Sequence, residues 1–320
     1  MFHRRAAFFL FTSFVVLALA GYPVFSQPGA PEAFPSREYA GTFSTGEKFG
    51  VQIGPAQPGR IVAHFYSGGL PGMGANGQWQ KVLKGKEIDR RHNILGEEEG
   101  WKLEGGVDLV KGKNPKGEAF EATPVVRANP GLGTKPPKGA RILFDGGDVK
   151  EWKHPRMTAE GFLKAGTETV AEFRDFQLHI EFRLPLMPTK KGQDRANSGV
   201  YLQNRYEIQV LDSFALAGSK NECGSIYEYR APSINACLPP EVWQSYDLEF
   251  RAAQFENGKK TKPAWIKVVH NGIVVQDGIE IPKQTGYGWK EGPEPGPIHL
   301  QDHGSAVVYR NIWIIETPAH

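Results

Sequence analysis

The stretch Phe176-Gln177-Leu178-His179-Ile180-Glu181-Phe182-Arg183-Leu184 decides the fold class. Apolar side chains occupy 176, 178, 180, 182 and 184, and polar ones fill the positions between. Successive side chains of a strand point to opposite faces, so this is the pattern of a half-buried antiparallel strand. Tyr246, Leu248 and Phe250 alternate in the same way with Asp247, Glu249 and Arg251. Trp265–His270 and Ile273–Gln276 flank Asn271-Gly272, a strong short hairpin signal. Arg141-Ile142-Leu143-Phe144 opens this half of the chain, and a long strand over Val307–Ile315 closes it. No sustained helical period follows the N-terminal apolar run, and no internal repeat is clear. Residues 141–320 therefore read as an all-β sandwich.

Outward from that half, the chain has 320 residues, long for one ordinary domain and comfortable for two. The 38 glycines and 24 prolines suit many short strands and turns. Residues 39–125 read as a small β-rich domain of unassigned role, with strands at Phe49–Ile53, Arg60–Tyr66 and Trp101–Glu104. The glycine-rich Gly68–Gly74 lacks the spacing and the Lys-Ser/Thr of a phosphate-binding loop and reads as a turn. Residues 126–140, rich in Pro, Gly and Lys, read as a linker. With 38 basic and 35 acidic residues the net charge is only +3, and no long Lys/Arg run argues for nucleic acid.

The N-terminus reads as an export signal over residues 1–20, followed by a flexible leader to residue 38. His3, Arg4 and Arg5 form a basic start, Ala6–Ala20 is an apolar run too short to span a bilayer comfortably, and Ala18-Leu19-Ala20 fits a cleavage site. A periplasmic or secreted protein is expected, with no transmembrane segment in the mature chain. In that setting two cysteines, Cys223 and Cys237, suggest a disulfide worth ~3 kcal/mol by loop entropy. They make a poor zinc site, lacking a Cys-x-x-Cys pair.

Two polar sets stand out. His299, Gln301 and His303 alternate with apolar Ile298 and Leu300, and Glu207 and Gln209 alternate with Ile208 and Val210. Paired imidazoles and amides beside a carboxylate suit the floor of a sugar-sized cleft better than a plain solvent face.

Several motifs occur in a specific order: Leu143-Phe144-Asp145-Gly146, Asn197-Ser198-Gly199-Val200-Tyr201, Tyr206–Asp212, Trp243–Asp247, His270-Asn271-Gly272, Gly296–Gly304 and Tyr309–Trp313. Together, over roughly residues 138 to 317, they resemble the 3-keto-disaccharide hydrolase family. The resemblance implies a concanavalin A-like (lectin/glucanase) jelly-roll β-sandwich and action on glycosides oxidised at C3. It also implies a separate sugar 3-dehydrogenase upstream. A C3 ketone acidifies the C2 proton, so the chemistry needs a base near C2, donors for the enolate and an acid for the leaving group. It does not need the opposed carboxylates of ordinary glycosidases. Glu207 is the candidate base. Gln203, Gln209 and Gln301 are candidates to bind sugar hydroxyls, with Asn197, Tyr227 and Tyr229 beside them. His303 or His299 would stabilise the enolate or protonate the leaving oxygen. A divalent metal held by these side chains is a variant of the same idea, although the histidine spacing is not a diagnostic metal motif.

Each assignment has a structural rival. Glu207 could pair with Arg310, His303 could close a turn at Gly304, and Gln209 with Gln301 could form an amide ladder. Asn197-Ser198-Gly199 could be only a turn, and Tyr227 and Tyr229 could be only loop packing. Trp243 and Trp313 read as core rather than sugar platforms, Arg310 and Asn311 as anchors of the last strand, and Glu97–Glu99 as a solvated loop. At the level of function, a non-catalytic carbohydrate-binding module is the main alternative, because jelly rolls host both. An ordinary endo-glucanase fits less well, since Gln209 stands where such enzymes place their middle acid.

Overall fold

The structure, a computed structural model, describes residues 35–89 and 91–318; the expected export signal lies outside the described residues. Eight strands come first: β1 (Arg37–Phe43), β2 (Lys48–Gln57), β3 (Arg60–Ser67), β4 (Gln80–Glu87), β5 (Ile94–Glu98), β6 (Trp101–Gly105), β7 (Val110–Lys113) and β8 (Ala119–Val125). Each pairs antiparallel with the next, and β8 pairs with β1, so they close into a barrel without free edges. Its interior is filled by Phe43, Phe49, Phe65 and Phe120, whose rings meet mostly edge to face at 4.8–5.8 Å, with Trp101 at the margin. Glu97 at the end of β5 and Glu99 in the β5–β6 turn are exposed, as expected, and ion-paired with Lys102 and Lys81.

The second half forms a β-sandwich. Its strands are β9 (Arg141–Phe144), β10 (Trp152–Lys153), β11 (Leu163–Lys164), β12 (Thr167–Thr169), β13 (Phe176–Arg183), β14 (Ser198–Leu202) and β15 (Tyr206–Val210). There follow β16 (Trp243–Arg251), β17 (Gln254–Glu256), β18 (Lys259–Lys262), β19 (Ala264–His270), β20 (Ile273–Ile281), β21 (His299–Leu300) and β22 (Val308–Glu316). One sheet runs β10-β12-β21-β14-β15; the larger runs β11-β22-β13-β16-β19-β20, with β9 also on β22. Between them lies the core, to which β13 contributes Phe176, Leu178, Ile180 and Phe182 and the smaller sheet Val200, Ile208 and Leu300. Asn271 and Gly272 both have positive φ (53° and 79°), the backbone a two-residue hairpin demands between β19 and β20. Among the described residues there is no α-helix, only a 3-10 turn at Gly192–Asp194, and no helix long and apolar enough to cross a membrane.

The back of the larger sheet departs from the half-buried reading of β13. His179 and Glu181, expected at a solvent face, are buried. The segment expected as a linker lies over them: the Gly133 N–H donates to Glu181 Oε1 at 2.6 Å, and Asn311 Nδ2 and Trp313 Nε1 donate to the Thr134 carbonyl. Trp243 and Trp313 sit on this back face rather than between the sheets. Trp313 stacks on His179, and the Arg310 guanidinium lies 4.0 Å from the Trp243 ring centre.

Barrel and sandwich meet through an apolar patch of Val62, Phe214 and Ala215 and a buried Arg127–Glu38 ion pair (2.9 Å). Arg127 also donates to the Cys237 carbonyl at 2.8 Å. Cys223 and Cys237, the disulfide candidate, are unbridged buried thiols in this structure. Cys223 Sγ lies 3.1 Å from the Tyr246 hydroxyl, Cys237 Sγ faces the Leu238 carbonyl, and the two thiols also lie within hydrogen-bonding reach of each other.

Glu181 yields a pH prediction. Burial pushes its carboxyl up, but hydrogen bonds from His179, Asn311, the Gly133 N–H and Arg310 outweigh this and hold it at about 2. A depressed carboxylate contributes stability above its unfolded pKa and loses it as the pH falls towards 2. Denaturant titrations from pH 6 to pH 2 should show a loss of about 3 kcal/mol from this group, and Glu181→Gln should remove that part of the slope.

Candidate functional site

The smaller sheet carries one polar row across all five strands. Register places Lys153 opposite Glu168, Glu168 opposite His299, His299 opposite Tyr201, and Tyr201 opposite Glu207. The neighbouring row, Thr167, Leu300, Val200 and Ile208, faces the core. Period-two alternation therefore puts the whole polar row on the outer face.

Polar contacts run along it. Lys153 Nζ meets Glu168 Oε1 at 2.8 Å, and Asn204 Nδ2 donates to Glu168 Oε2 at 3.2 Å. His299 Nδ1 lies 3.0 Å from Asn204 Oδ1. That acceptor fixes the proton on Nδ1 and leaves Nε2 as an acceptor, and burial pushes His299 below its ordinary value, so the ring is neutral near pH 7. The Tyr201 hydroxyl donates to Glu207 Oε2 at 2.7 Å and lies 3.4 Å from Gln301 Nε2. Gln301 Oε1 is buried without a partner.

Glu207 is 2% exposed. Gly199, on the facing strand, leaves room for it: a Cβ there would fall 2.5 Å from Glu207 Oε1. Gly286 closes it from above at φ +58°, where a Cβ would come 2.1 Å from Oε2. Its turn is tied down: Thr285 Oγ1 accepts the Glu207 N–H at 2.8 Å, and the Tyr287 N–H reaches the Tyr201 hydroxyl at 3.3 Å. Further along, Glu291 accepts from the Tyr206 hydroxyl and pairs with Lys260, both at 2.6 Å. Among the described residues no cation balances Glu207. Burial pushes its carboxyl up to about 7, with the Tyr201 hydroxyl pulling the other way. A carboxyl poised there is suited to exchanging protons at neutral pH.

On the other flank Gln209 meets Gln193 Oε1 and Asn197 Oδ1, each at 3.1 Å. With its amide turned over, its nitrogen donates to Glu207 Oε1 at 3.0 Å instead, the orientation that favours an ionised Glu207. Tyr227 is half-buried, and the charge of Glu207 raises its phenol after burial does.

Of the residues singled out in the sequence, Glu207, Gln209, Asn197, His299, Gln301 and Tyr227 thus share this face. Three do not join them. Gln203 takes a positive-φ position in the β14–β15 turn and points its amide at the Phe173 carbonyl (3.0 Å), while its oxygen accepts from Arg205. Tyr229 donates its hydroxyl to the Glu280 carbonyl at the end of β20. His303 stands exposed in the turn after β21, beside Asp302. The rival pairing of Glu207 with Arg310 fails, because Arg310 lies on the other sheet and binds Glu181 at 2.7 Å. Tyr201, Gln193, Asn204, Thr285 and Gly286 were not singled out in the sequence. Tyr201 carried a signal, the same alternation as Glu207; the others reach the site through turns. No group of three or more His, Cys, Asp or Glu among the described residues is arranged to hold a metal ion.

A family model, the 3-keto-α-glucoside-1,2-lyase-like domain, matches residues 139–315, over half of the chain. The chain belongs to this family. It is a glycoside-cleaving enzyme. Among solved structures it is similar to a "putative glycosyl hydrolase" from Parabacteroides distasonis ATCC 8503, with 32% identity and a TM-score of 0.52, over 56% of this chain and 84% of that one. A second protein so described from that organism gives 18% identity and a TM-score of 0.41, over 57% of this chain and 95% of that one. No curated protein matches.

Because Glu207 ionises at about 4.5 unfolded and about 7 folded, it opposes folding increasingly as the pH rises through that window. Glu207→Gln should therefore raise the Tm at pH 8 more than at pH 5, read by thermal melts at both values. Gly199→Ala should cost about 1–3 kcal/mol by crowding Glu207, read by denaturant unfolding.

Proposed function

We propose that this enzyme cleaves 3-keto-glycosides by elimination and hydration, with Glu207 as the base. The observation that carries this reading is a single buried carboxyl, raised to about 7 and hydrogen-bonded to Tyr201, on a polar sheet face. Glu207 takes the C2 proton, and the electron pair is held as an enolate on the C3 oxygen. The enolate collapses to a C1=C2 double bond as the C1–O bond breaks, and the departing oxygen takes the proton back from Glu207. Water then adds across C1=C2, and the net result is hydrolysis.

Tyr201 positions the carboxylate. Neutral His299 presents Nε2 as an acceptor for a sugar hydroxyl, and Gln301 offers a free carbonyl oxygen beside it. This replaces the role of acid first offered for His299, since a neutral Nε2 without a proton cannot donate. Among the described residues no His, Cys, Asp or Glu cluster is arranged to hold a metal ion, and the steps above use side chains alone. Gly286 rests on the carboxylate, so the Gly286-Tyr287-Gly288 turn must swing aside to admit substrate. A separate oxidoreductase supplies the ketone, and the chain is exported, as its N-terminus suggests.

One observation favours the carbohydrate-binding alternative: Tyr287 is 91% and Trp289 46% exposed on that turn, ready to stack on sugar rings. A single experiment separates the two. Aglycone release is followed from a 3-keto-glucoside and from its unoxidised parent, with and without chelator. Release from the keto form alone is expected, rising with pH through about 7 as Glu207 ionises. Glu207→Gln should lose about 100-fold or more in kcat while still binding the keto-sugar. Sugar binding without release from either compound would leave the binding module as the function, and full activity in Glu207→Gln would remove the base assignment.

A further inference from the structure

A groove of about 800 Å³ lies along the outer barrel wall. The β3 and β4 strands form one side and residues 191–195 with Leu216 the other. Its lining is aliphatic: Val62, Val82, Leu95 and Leu216. Four exposed cations ring it, Arg60, Lys84, Lys86 and Lys191, and among the described residues none of the four has an ion pair or a side-chain hydrogen bond. Strand register places Arg60 directly opposite Lys86, with Lys84 on the same face two residues, about 7 Å, along. Like charges opposite each other destabilise a sheet, and no described residue neutralises these. The one carboxylate on the wall, Glu97, is already paired with Lys102 at 3.0 Å.

Arg195, also on the wall, is 4% exposed; it binds Asp212 and the Pro55 carbonyl, yet its Nη2 is buried without a partner. Cations spaced along a strand pair match several anionic groups on one chain rather than one point charge. The aliphatic floor suits the C–H faces of pyranose rings, and no aromatic side chain is present to stack nucleobases.

We propose that this groove binds a polyanionic saccharide, carrying uronate carboxylates or sulfate esters, independently of the chemistry at Glu207. The test is calorimetric titration of the full chain with a short oligouronide, a sulfated oligosaccharide, a neutral oligosaccharide of equal length, inorganic sulfate and a single-stranded oligonucleotide. The acidic saccharides should bind, with affinity falling as salt rises, and the relative response to the uronide and the sulfated chain identifies the anionic group. Lys84→Glu/Lys86→Glu should weaken that binding by about tenfold or more. Lys135→Glu/Lys138→Glu, on the exposed segment over the back sheet, and Glu207→Gln should leave it unchanged. Absence of binding, equal binding of the neutral chain, or an unaffected Lys84→Glu/Lys86→Glu variant would overturn the site. Equal loss in the Lys135→Glu/Lys138→Glu control would reduce it to bulk charge, and loss in Glu207→Gln would place the ligand on the other face. Tighter binding of the oligonucleotide would overturn the saccharide class.

Discussion

The cross-strand row Lys153–Glu168–His299–Tyr201–Glu207 is the constraint on which the site depends. It exists because five short strands are held in one register, and a slip of a single residue would turn every member of the row into the core. The opposite row, with Leu300, Val200 and Ile208, anchors that register by burial against the larger sheet. Hydrophobic packing on one face thus positions the chemistry on the other. Glycine completes the arrangement where the carboxylate needs space, at Gly199 beside it and Gly286 above it.

Two buried glutamates show how surroundings divide stability from function. Glu181 accepts from Arg310, Asn311 and a backbone N–H, and its carboxylate is held at about 2. Glu207 is as deeply placed but is offered a phenol hydroxyl and an amide, without a cation, and is pushed to about 7. The first is a structural anchor that ties the segment at residues 131–134 onto the back sheet. The second weakens the fold at neutral pH and is kept ready to exchange a proton. The core of the sandwich must supply the free energy that this unfavourable burial opposes.

Much of the sandwich was legible along the chain. The alternation at 176–184, the Asn271-Gly272 hairpin and the strand pattern of the last residues are local properties of the polypeptide. The closure of β8 onto β1 was not legible, because it pairs residues such as Glu38 and Val125 that no local pattern connects. Nor was the docking of residues 129–134, whose Pro/Gly composition says spacer while their hydrogen bonds to Glu181, Asn311 and Trp313 say clamp. For the cysteines the even count pointed to a pair, and the structure brings Cys223 and Cys237 together as adjacent buried thiols.

By itself the sequence determined which residue types alternate along each strand, and so which of them could face a substrate; the candidate base Glu207 and its companions Gln209, His299 and Gln301 follow from that. Only the tertiary structure decided which of these residues meet. It put Tyr201 opposite Glu207 through strand register, set Gly286 over the carboxylate through a turn almost 80 residues away, and turned Gln203 and Tyr229 to other partners. The physical reason is range: side-chain alternation is fixed between chain neighbours, whereas register, burial and the resulting proton affinity are set by contacts between segments far apart in the chain.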